Sequence, residues 1–531
     1  MLPGEREFPT NRRELLERIR AQTEPWNFMI IGGGATGVGV AVDAAARGYR
    51  TLLLEQHDFG KGTSSRSTKL VHGGVRYLEQ GNLSLVMEAL KERGILRRNA
   101  PHLVRALPFV VPTYQWWETP FYGIGLKIYE VLAGKHGFGP SRFLSRKETL
   151  ERLPNINSDG LCGGVLYYDG QFDDARLLSN LVATAVEQGA TLLNYVQVTG
   201  LTKNRAGKLD GVTARDAETG EEFAIRAQVV INATGPFSDA LRRTAEPHAE
   251  PMIAPSQGAH VVLDGSFLPG ETALIVPRTS DGRVMFLIPW HGHTLLGTTD
   301  TPVKNVALEP VALEEEISFL LETASRYLAK KPVRRDVLSV FAGIRPLVKA
   351  GRKENTAALS REHTIRTDAS GFMTIAGGKW TTYRSMAEDC VNQAAKAAGL
   401  SPRQCATRDL RIHGHAPHNL PFSALAIYGS DAPFIQKIIE ADAAMGEPLQ
   451  PELPYCGAET LWAARNEFAR TVEDVLARRT RALFLNAEAA EHMAPRVAEI
   501  LAAELGRDKL WQENQLAEFR ELAKNYRARK S

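Results

Sequence analysis

The sequence predicts an α/β fold whose nucleotide-binding sheet is assembled from separated stretches of a 531-residue chain. Three glycine-rich segments predict it. In the first, an apolar run from Phe28 to Ile31 passes into Gly32-x-Gly34-x-x-Gly37, then an Ala-rich helix, then a second apolar run from Thr51 to Leu54 closed by Glu55. Glycines at those spacings permit a tight turn, close backbone approach to a pyrophosphate and tight packing of helix on strand. The helix start adds free N–H groups and a partial positive charge for phosphate. Glu55 stands where an acid accepts a ribose hydroxyl, which favours an unphosphorylated ribose.

The second segment, Gln228 to Pro236 (QVVINATGP), is an apolar strand ending in Ala233-Thr234-Gly235. The third, Phe372 to Arg384 (FMTIAGGKWTTYR), reads as a short strand, a Gly377-Gly378 turn followed by Lys379, and a helix start near Thr381. These favour a flavin over a nicotinamide. In a glutathione-reductase-like FAD-binding Rossmann domain they are the strand passing the adenosine half and the loop closing over the flavin. A helix opening near Thr381 aims its N-terminus at the flavin pyrimidine and stabilises negative charge on the reduced ring. After Glu55 come Thr63-Ser64-Ser65, Lys69 and His72-Gly73-Gly74. Small hydroxyl residues and paired glycines suit a loop threading past phosphates and the isoalloxazine ring.

Composition bounds the rest. The length allows two or three domains with buried cores. With 64 basic against 61 acidic residues the net charge is only +3, so the balance does not point to nucleic acid. Cys162, Cys390, Cys405 and Cys456 lie far apart with no CxxC, which argues for a reducing compartment and against a thiolate metal site or disulfide framework. Met1 to Glu24 is polar and does not read as a signal peptide, and no apolar run is long enough to span a bilayer. The expectation is a soluble or peripheral protein.

Along the chain, nucleotide-domain segments are expected at 26–80, 165–245 and 335–390, with 1–25 as a polar extension. Segments 81–164 and 246–334 would build an α+β substrate domain, with strand-like alternation in His260–Leu263 and Val284–Pro289. Residues 391–422 read as a linker, rich in proline and carrying His413 and His415, both expected to be solvated. From 423 to 531, Val472, Val475, Leu476, Leu483, Leu516, Phe519 and Leu522 fall at helical spacing and predict a C-terminal helical domain.

Taken together, GGGATGVGVAVDAAARG, TSSRSTKLVHGGVRYLE, INATGP, IPW…LLGTTD, GIRPL and GGKWTTYR resemble the FAD-dependent glycerol-3-phosphate dehydrogenases of the D-amino-acid-oxidase-like flavoprotein superfamily. The likeness runs motif by motif from about Trp26 to Met386. FARTVEDVLARRTRALFL (Phe468–Leu485) resembles that family's C-terminal helical domain. It implies non-covalent FAD, oxidation of sn-glycerol 3-phosphate to dihydroxyacetone phosphate, and electron transfer to ubiquinone or menaquinone. It also implies a homodimer held peripherally at the cytoplasmic face of a bacterial inner membrane. Mitochondrial members carry an EF-hand loop, and none is evident here.

A dianionic substrate needs cations, and Arg76, Arg345 and Lys379 all adjoin the flavin motifs, with Arg361 a fourth candidate. Arginine's planar fork suits bidentate phosphate contact. The C2 hydroxyl also needs a base. His260 matches a histidine the family carries at its site, His72 is close to the flavin in sequence, and neutral imidazole suits the task near pH 7. Tyr77 and Thr382 are candidate hydroxyl donors to substrate or flavin, whereas Asp300 in GTTD reads as a turn support. Tyr114 to Phe138 gathers Trp116, Trp117, Phe121 and Tyr122 beside Lys127, Lys135 and His136, the composition of an interfacial membrane contact. The competing readings are a glycerol-3-phosphate oxidase using dioxygen, an amine or amino-acid oxidase, and a flavoprotein without turnover.

Overall fold

The computed structural model describes residues 11–74, 82–277, 279, 282–349, 362–416 and 425–528. The first glycine segment folds as its pattern requires. Strand Trp26–Ile31 runs parallel to Thr51–Leu54, with Phe28 opposite Thr51, and to Glu222–Asn232, with Phe28 opposite Val229. The sheet continues outward through Met373–Gly377 and His363–Thr367 on one side and Thr191–Leu193 on the other. Val196–Lys203 and Leu209–Asp216 extend it as an antiparallel flap on Glu222–Asn232. Parallel strands covered on both faces read as unbroken apolar runs, as MII and TLLL do. Helix Ala35–Ala46 is buried along most of its length because helices Tyr383–Ala397 and Asp174–Glu187 pack on it beside the sheet.

A second, mostly antiparallel sheet carries the other half of the cleft. Its long pair, Ile253–Asp264 and Val337–Val348, sets Ser256 opposite Arg345 and His260 opposite Phe341. From Ile253–Asp264 it passes through His293–Gly297, Met285–Trp290, Ala273–Val276, Val104–Thr113 and Gly163–Phe172 to the two-residue Leu70–Val71. Here the sheets part from the expected segments. Gly163–Phe172 and Val337–Val348 fall mostly in stretches assigned to the nucleotide domain, yet both stand in the second sheet. Strands buried on both faces look alike in sequence whichever sheet they join, so an apolar run does not name its neighbours.

The polar extension is partly a docked helix: Arg12–Ala21 buries Leu15, Leu16 and Ile19, and Arg12 pairs with Asp216 beneath it. The linker is a correction too. Helix Tyr383–Ala397 runs into it, and His413, expected in solvent, is buried between Glu187 and Asp431. Beyond it, helices Ala432–Ala441, Gly457–Asn466, Ala487–Leu505 and Lys509–Ala523 form the C-terminal region with one short hairpin. Val472, Val475, Leu476, Leu483 and Phe519 are in its core, while Leu516 and Leu522 are partly buried. Phe468–Leu485 is not one regular helix. Asp474–Arg479 makes a π-helical turn that swings two guanidinium groups onto Asp58, Arg478 Nε at 2.5 Å and Arg479 Nη1 at 2.7 Å. Burial alone would raise the pKa of Asp58, but the two arginines hold it low. Among the described residues no helix is long and apolar enough to cross a membrane.

Candidate active site

Between the two sheets opens a cavity of about 430 Å³. One wall is the glycine turn. Gly32 holds φ +108°, and a Cβ there would sit 2.8 Å from the Ala233 carbonyl oxygen; a Cβ at Gly37 would collide with the Gly32 carbonyl. The helix then begins at Gly34 with no side-chain cap, so its first-turn residues Ala35 and Thr36 line the cavity directly. Ser64 Oγ accepts from Ala35 N at 2.9 Å, which ties the hydroxyl-rich loop to the helix start. Glu55 closes the edge, its carboxylate accepting from Gly33 N at 2.6 Å and His57 N at 2.9 Å. Burial raises its pKa, and those backbone hydrogen bonds oppose the rise.

Thr63, Ser64, Ala233, Thr234, Gly235, Gly377, Gly378 and Lys379 line the same cavity. Gly377 and Gly378 both hold left-handed φ, +81° and +75°, which turns the chain over the cavity before the helix at Tyr383. Thr381 Oγ1 bonds the His72 amide at 3.2 Å, and Tyr129 OH accepts from Gly73 N at 2.8 Å, so the His72-Gly73-Gly74 turn is anchored from two elements. Thr382 is buried and donates to the Lys379 carbonyl at 3.3 Å. Ser65 is buried behind the loop, its carbonyl accepting from Lys69 Nζ at 2.8 Å. Arg76, Tyr77 and Arg361 lie outside the described residues.

Lys69 departs from its expected role as a cofactor contact. Its side chain is fully buried, with Nζ 2.7 Å from Asp174 Oδ2, and it does not line the cavity. A lysine in a phosphate loop and a lysine in a buried ion pair have the same local sequence; the partner, more than 100 residues away, decides.

On the second sheet His260 and Arg345 lie on paired strands. His260 is 2% exposed, its Nε2 is 2.9 Å from Thr68 Oγ1, and its ring stacks on Phe341 at 4.7 Å. Burial, then Lys69, then Arg345 push its pKa well below the ordinary value, so the imidazole is neutral. The Arg345 guanidinium packs over Gly258. Nη1 lies 3.3 Å from Asp300 Oδ1 and Nη2 lies 3.0 Å from the Thr299 carbonyl and 3.2 Å from Thr298 Oγ1. Asp300 therefore supports an arginine, as well as accepting from Ser256 Oγ. The cofactor loop bonds this sheet through Thr63 Oγ1, donating to the Ile344 carbonyl at 2.6 Å, through Arg66 Nη1, donating to the Ala342 carbonyl at 3.3 Å, and through Thr68, which meets His260.

Four further residues at the cavity carry no motif signal of their own. Trp380 donates its indole N–H to the Ser64 carbonyl at 2.8 Å, and Gln56, Lys61 and Gly62 line the cavity. Trp380 lies inside GGKWTTYR, Gln56 follows Glu55 and Lys61-Gly62 directly precedes Thr63, so adjacency is the available signal.

Residues 27–384 match the FAD dependent oxidoreductase family, and 373–513 match the C-terminal domain of alpha-glycerophosphate oxidase. A probable mitochondrial glycerol-3-phosphate dehydrogenase of Caenorhabditis elegans is 42% identical over 97% of this chain and 75% of that protein. The chain belongs to the FAD-dependent glycerol-3-phosphate dehydrogenases. A solved member of that family, the glycerol-3-phosphate dehydrogenase from Bacillus halodurans complexed with FAD, is 28% identical, covers 97% of this chain and 98% of its own, and superposes with a TM-score of 0.79. The L-alpha-glycerophosphate oxidase of Mycoplasma pneumoniae shares the fold, at 17% identity and a TM-score of 0.54 over 75% of this chain and 100% of its own. FAD is the cofactor of this dehydrogenase family member, and the cavity fits it: a glycine cradle that a Cβ would fill, an open helix start and an acid at the ribose end.

Proposed function

We propose that the protein oxidises sn-glycerol 3-phosphate to dihydroxyacetone phosphate and passes the electrons to a membrane quinone. The observation that carries this reading is the pairing of Arg345 and His260 on adjacent strands, with Thr68 of the cofactor loop bonded to His260. FAD, when bound, supplies the acceptor for the hydride leaving C2. Arg345 anchors the phosphate, since its planar fork is already oriented by Asp300, Thr298 and Thr299. Lys379, on the loop over the cavity, adds a positive charge there, and Arg76 and Arg361 are candidates of the same kind. Holding the phosphate away from C2 uses remote binding energy to orient the reacting carbon. His260, neutral and nine-tenths or more buried, accepts the C2 hydroxyl proton, and the nearby guanidinium stabilises the developing alkoxide.

Quinone is confined to the bilayer, so this reading needs a membrane-facing surface. The helix Glu118–Ala133 and the residues before it support one. Trp116, Phe121, Ile124 and Val131 are 81%, 54%, 63% and 71% exposed, an apolar face with Lys127 and Lys135 beside it. The same site with dioxygen as acceptor is the competing reading, supported by the C-terminal match to the oxidase domain. The test is anaerobic addition of sn-glycerol 3-phosphate to the yellow protein, followed at roughly 450 nm where oxidised flavin absorbs. Prompt bleaching reversed by a ubiquinone analogue much faster than by air is expected. Fast reversal by air would favour the oxidase, and no bleaching with FAD bound would overturn the substrate assignment.

A further inference from the structure

Behind His260 lies a buried charge cluster that the reaction as described does not use. Lys69 Nζ is 2.7 and 2.9 Å from the two carboxylate oxygens of Asp174. Arg481, from the C-terminal region, reaches the same carboxylate at 3.2 Å, and both cations donate to the Ser65 carbonyl at 2.8 Å. Asp173, 3.7 Å from Arg481 Nε and 3.0 Å from His291 Nε2, is the second anion. Lys69 and Arg481 both hold left-handed backbone, φ +63° and +68°. Residues with side chains keep that conformation only where the surroundings over-determine it, and such positions gather at functional sites. Two paths lead from the cluster to the imidazole. Thr68, the neighbour of Lys69, bonds Nε2 at 2.9 Å. The Lys69 ammonium lies 5.2 Å from the centre of the Phe341 ring, which stacks on His260 and is backed at 4.8 Å by Phe484, three residues after Arg481.

We propose that Lys69, Asp174 and Arg481 are positioning residues for His260, through which the C-terminal region completes the reaction site. The inference rests on the reading of His260 given above. Thr68 occupies Nε2, while the buried Nδ1 has no hydrogen-bond partner among the described residues and is the nitrogen left for a substrate hydroxyl. Among the described residues the charged groups that act on the ring are Lys69, whose pKa burial lowers to about 7, and Arg345; on the acid limb both are cations, so they oppose formation of imidazolium and keep His260 a neutral acceptor. Lys69→Met removes one cation with little change of shape. Asp174 would keep Arg481, the Ser67 amide and hydroxyl at 2.9 and 2.7 Å, and the Ala175 amide at 2.8 Å, so its carboxylate is not orphaned.

The test is kcat and KM for sn-glycerol 3-phosphate with a dye acceptor across roughly pH 5 to 9, on the FAD-loaded full chain. In Lys69→Met the acid limb of kcat/KM is expected to move up by about one pH unit, because imidazolium is no longer opposed by that cation. FAD content should be unchanged. Arg481→Met is expected to lower kcat about tenfold at constant KM, with partial recovery in Arg481→Lys. An unmoved acid limb, or an Arg481→Met kcat within about twofold of the parent, overturns the proposal. If Lys69→Met does not accumulate with flavin, Thr68→Val gives the decision: about a tenfold loss of kcat supports the device and parental kcat sinks it. His260→Asn separates the two claims. Full activity there means that the His260 reading is wrong, whereas a large loss beside unaltered Lys69→Met and Arg481→Met means that only the positioning role fails.

Discussion

Raising the pH should loosen the joint between the nucleotide domain and the C-terminal region, with His413 as the cause. Its Nδ1 meets Glu187 at 2.9 Å and its Nε2 meets Asp431 at 2.7 Å, so one imidazolium links helix Asp174–Glu187 to the start of helix Ala432–Ala441. Burial pulls its pKa down, but the two carboxylates more than offset that and bring it to about 9, against an ordinary 6.5. A raised folded-state pKa means that the contribution is fully present below pH 6.5 and is lost as pH rises through about 9. The 2.5-unit difference (9 − 6.5), at ~1.36 kcal/mol per unit, corresponds to about 3 kcal/mol. Because the Glu187 side chain is 37% exposed and its share is screened by solvent, about 2–3 kcal/mol is the better figure. The assay is the melting temperature of wild type and His413→Gln at matched FAD saturation from roughly pH 6 to 10. With unfolding entropy of ~2.1 cal/mol/K per residue, the gap between the two proteins should shrink by about 2–3 °C if the whole chain melts together. It should shrink by about 10 °C if a C-terminal unit of ~100 residues melts alone. A gap that stays constant across that range would refute the argument.

The remaining expectations concern the site and the surface. Arg345→Ala should lower kcat/KM for sn-glycerol 3-phosphate by about 10²–10³, the value of a lost charge-assisted bidentate contact; an unchanged kcat/KM would remove it from the site. Gly37→Val should purify colourless, because its Cβ collides with the Gly32 carbonyl and opens the pyrophosphate turn; a stoichiometric flavin spectrum would contradict this. Replacing Trp116 and Trp117 by serine should move the protein from membrane pellet to supernatant while dye-linked activity survives. If pelleting persists, the docking surface is elsewhere.

The nucleotide turn was legible because its chemistry is local. Strand, glycines, helix and Glu55 all fall within 30 residues, and each constraint is met by neighbours in the chain. The Gly377-Gly378 turn and the buried C-terminal positions were legible for the same reason. What escaped depended on distant partners. Lys69 sits in a loop that reads as phosphate-binding, but Asp174 claims its ammonium. His413 sits in a proline-rich stretch that reads as linker, but two carboxylates from separate helices bury it. Asp300 read as a turn support, and only the antiparallel register of the second sheet brings Arg345 across to it. The π-helical turn at Asp474–Arg479 left no mark in the apolar spacing, since its purpose is to deliver arginines to Asp58.

The interleaving of the two sheets has a consequence for how the protein is made. Strand Trp26–Ile31 leaves the ribosome early, but its parallel neighbour Glu222–Asn232 follows about 200 residues later, a wait of about 10–40 s at ~5–20 residues per second. Met373–Gly377, the next strand outward, comes later still. Through that interval the strand is paired on one side with Thr51–Leu54, which Thr191–Leu193 later joins, and its other edge stays open. The first sheet is complete only once Met373–Gly377 has been made, so forms that end before it should be captured by chaperones or aggregate rather than persist as soluble half-enzymes. The cofactor would therefore enter a nascent chain only after Met386, the last residue that lines the cavity, has been made.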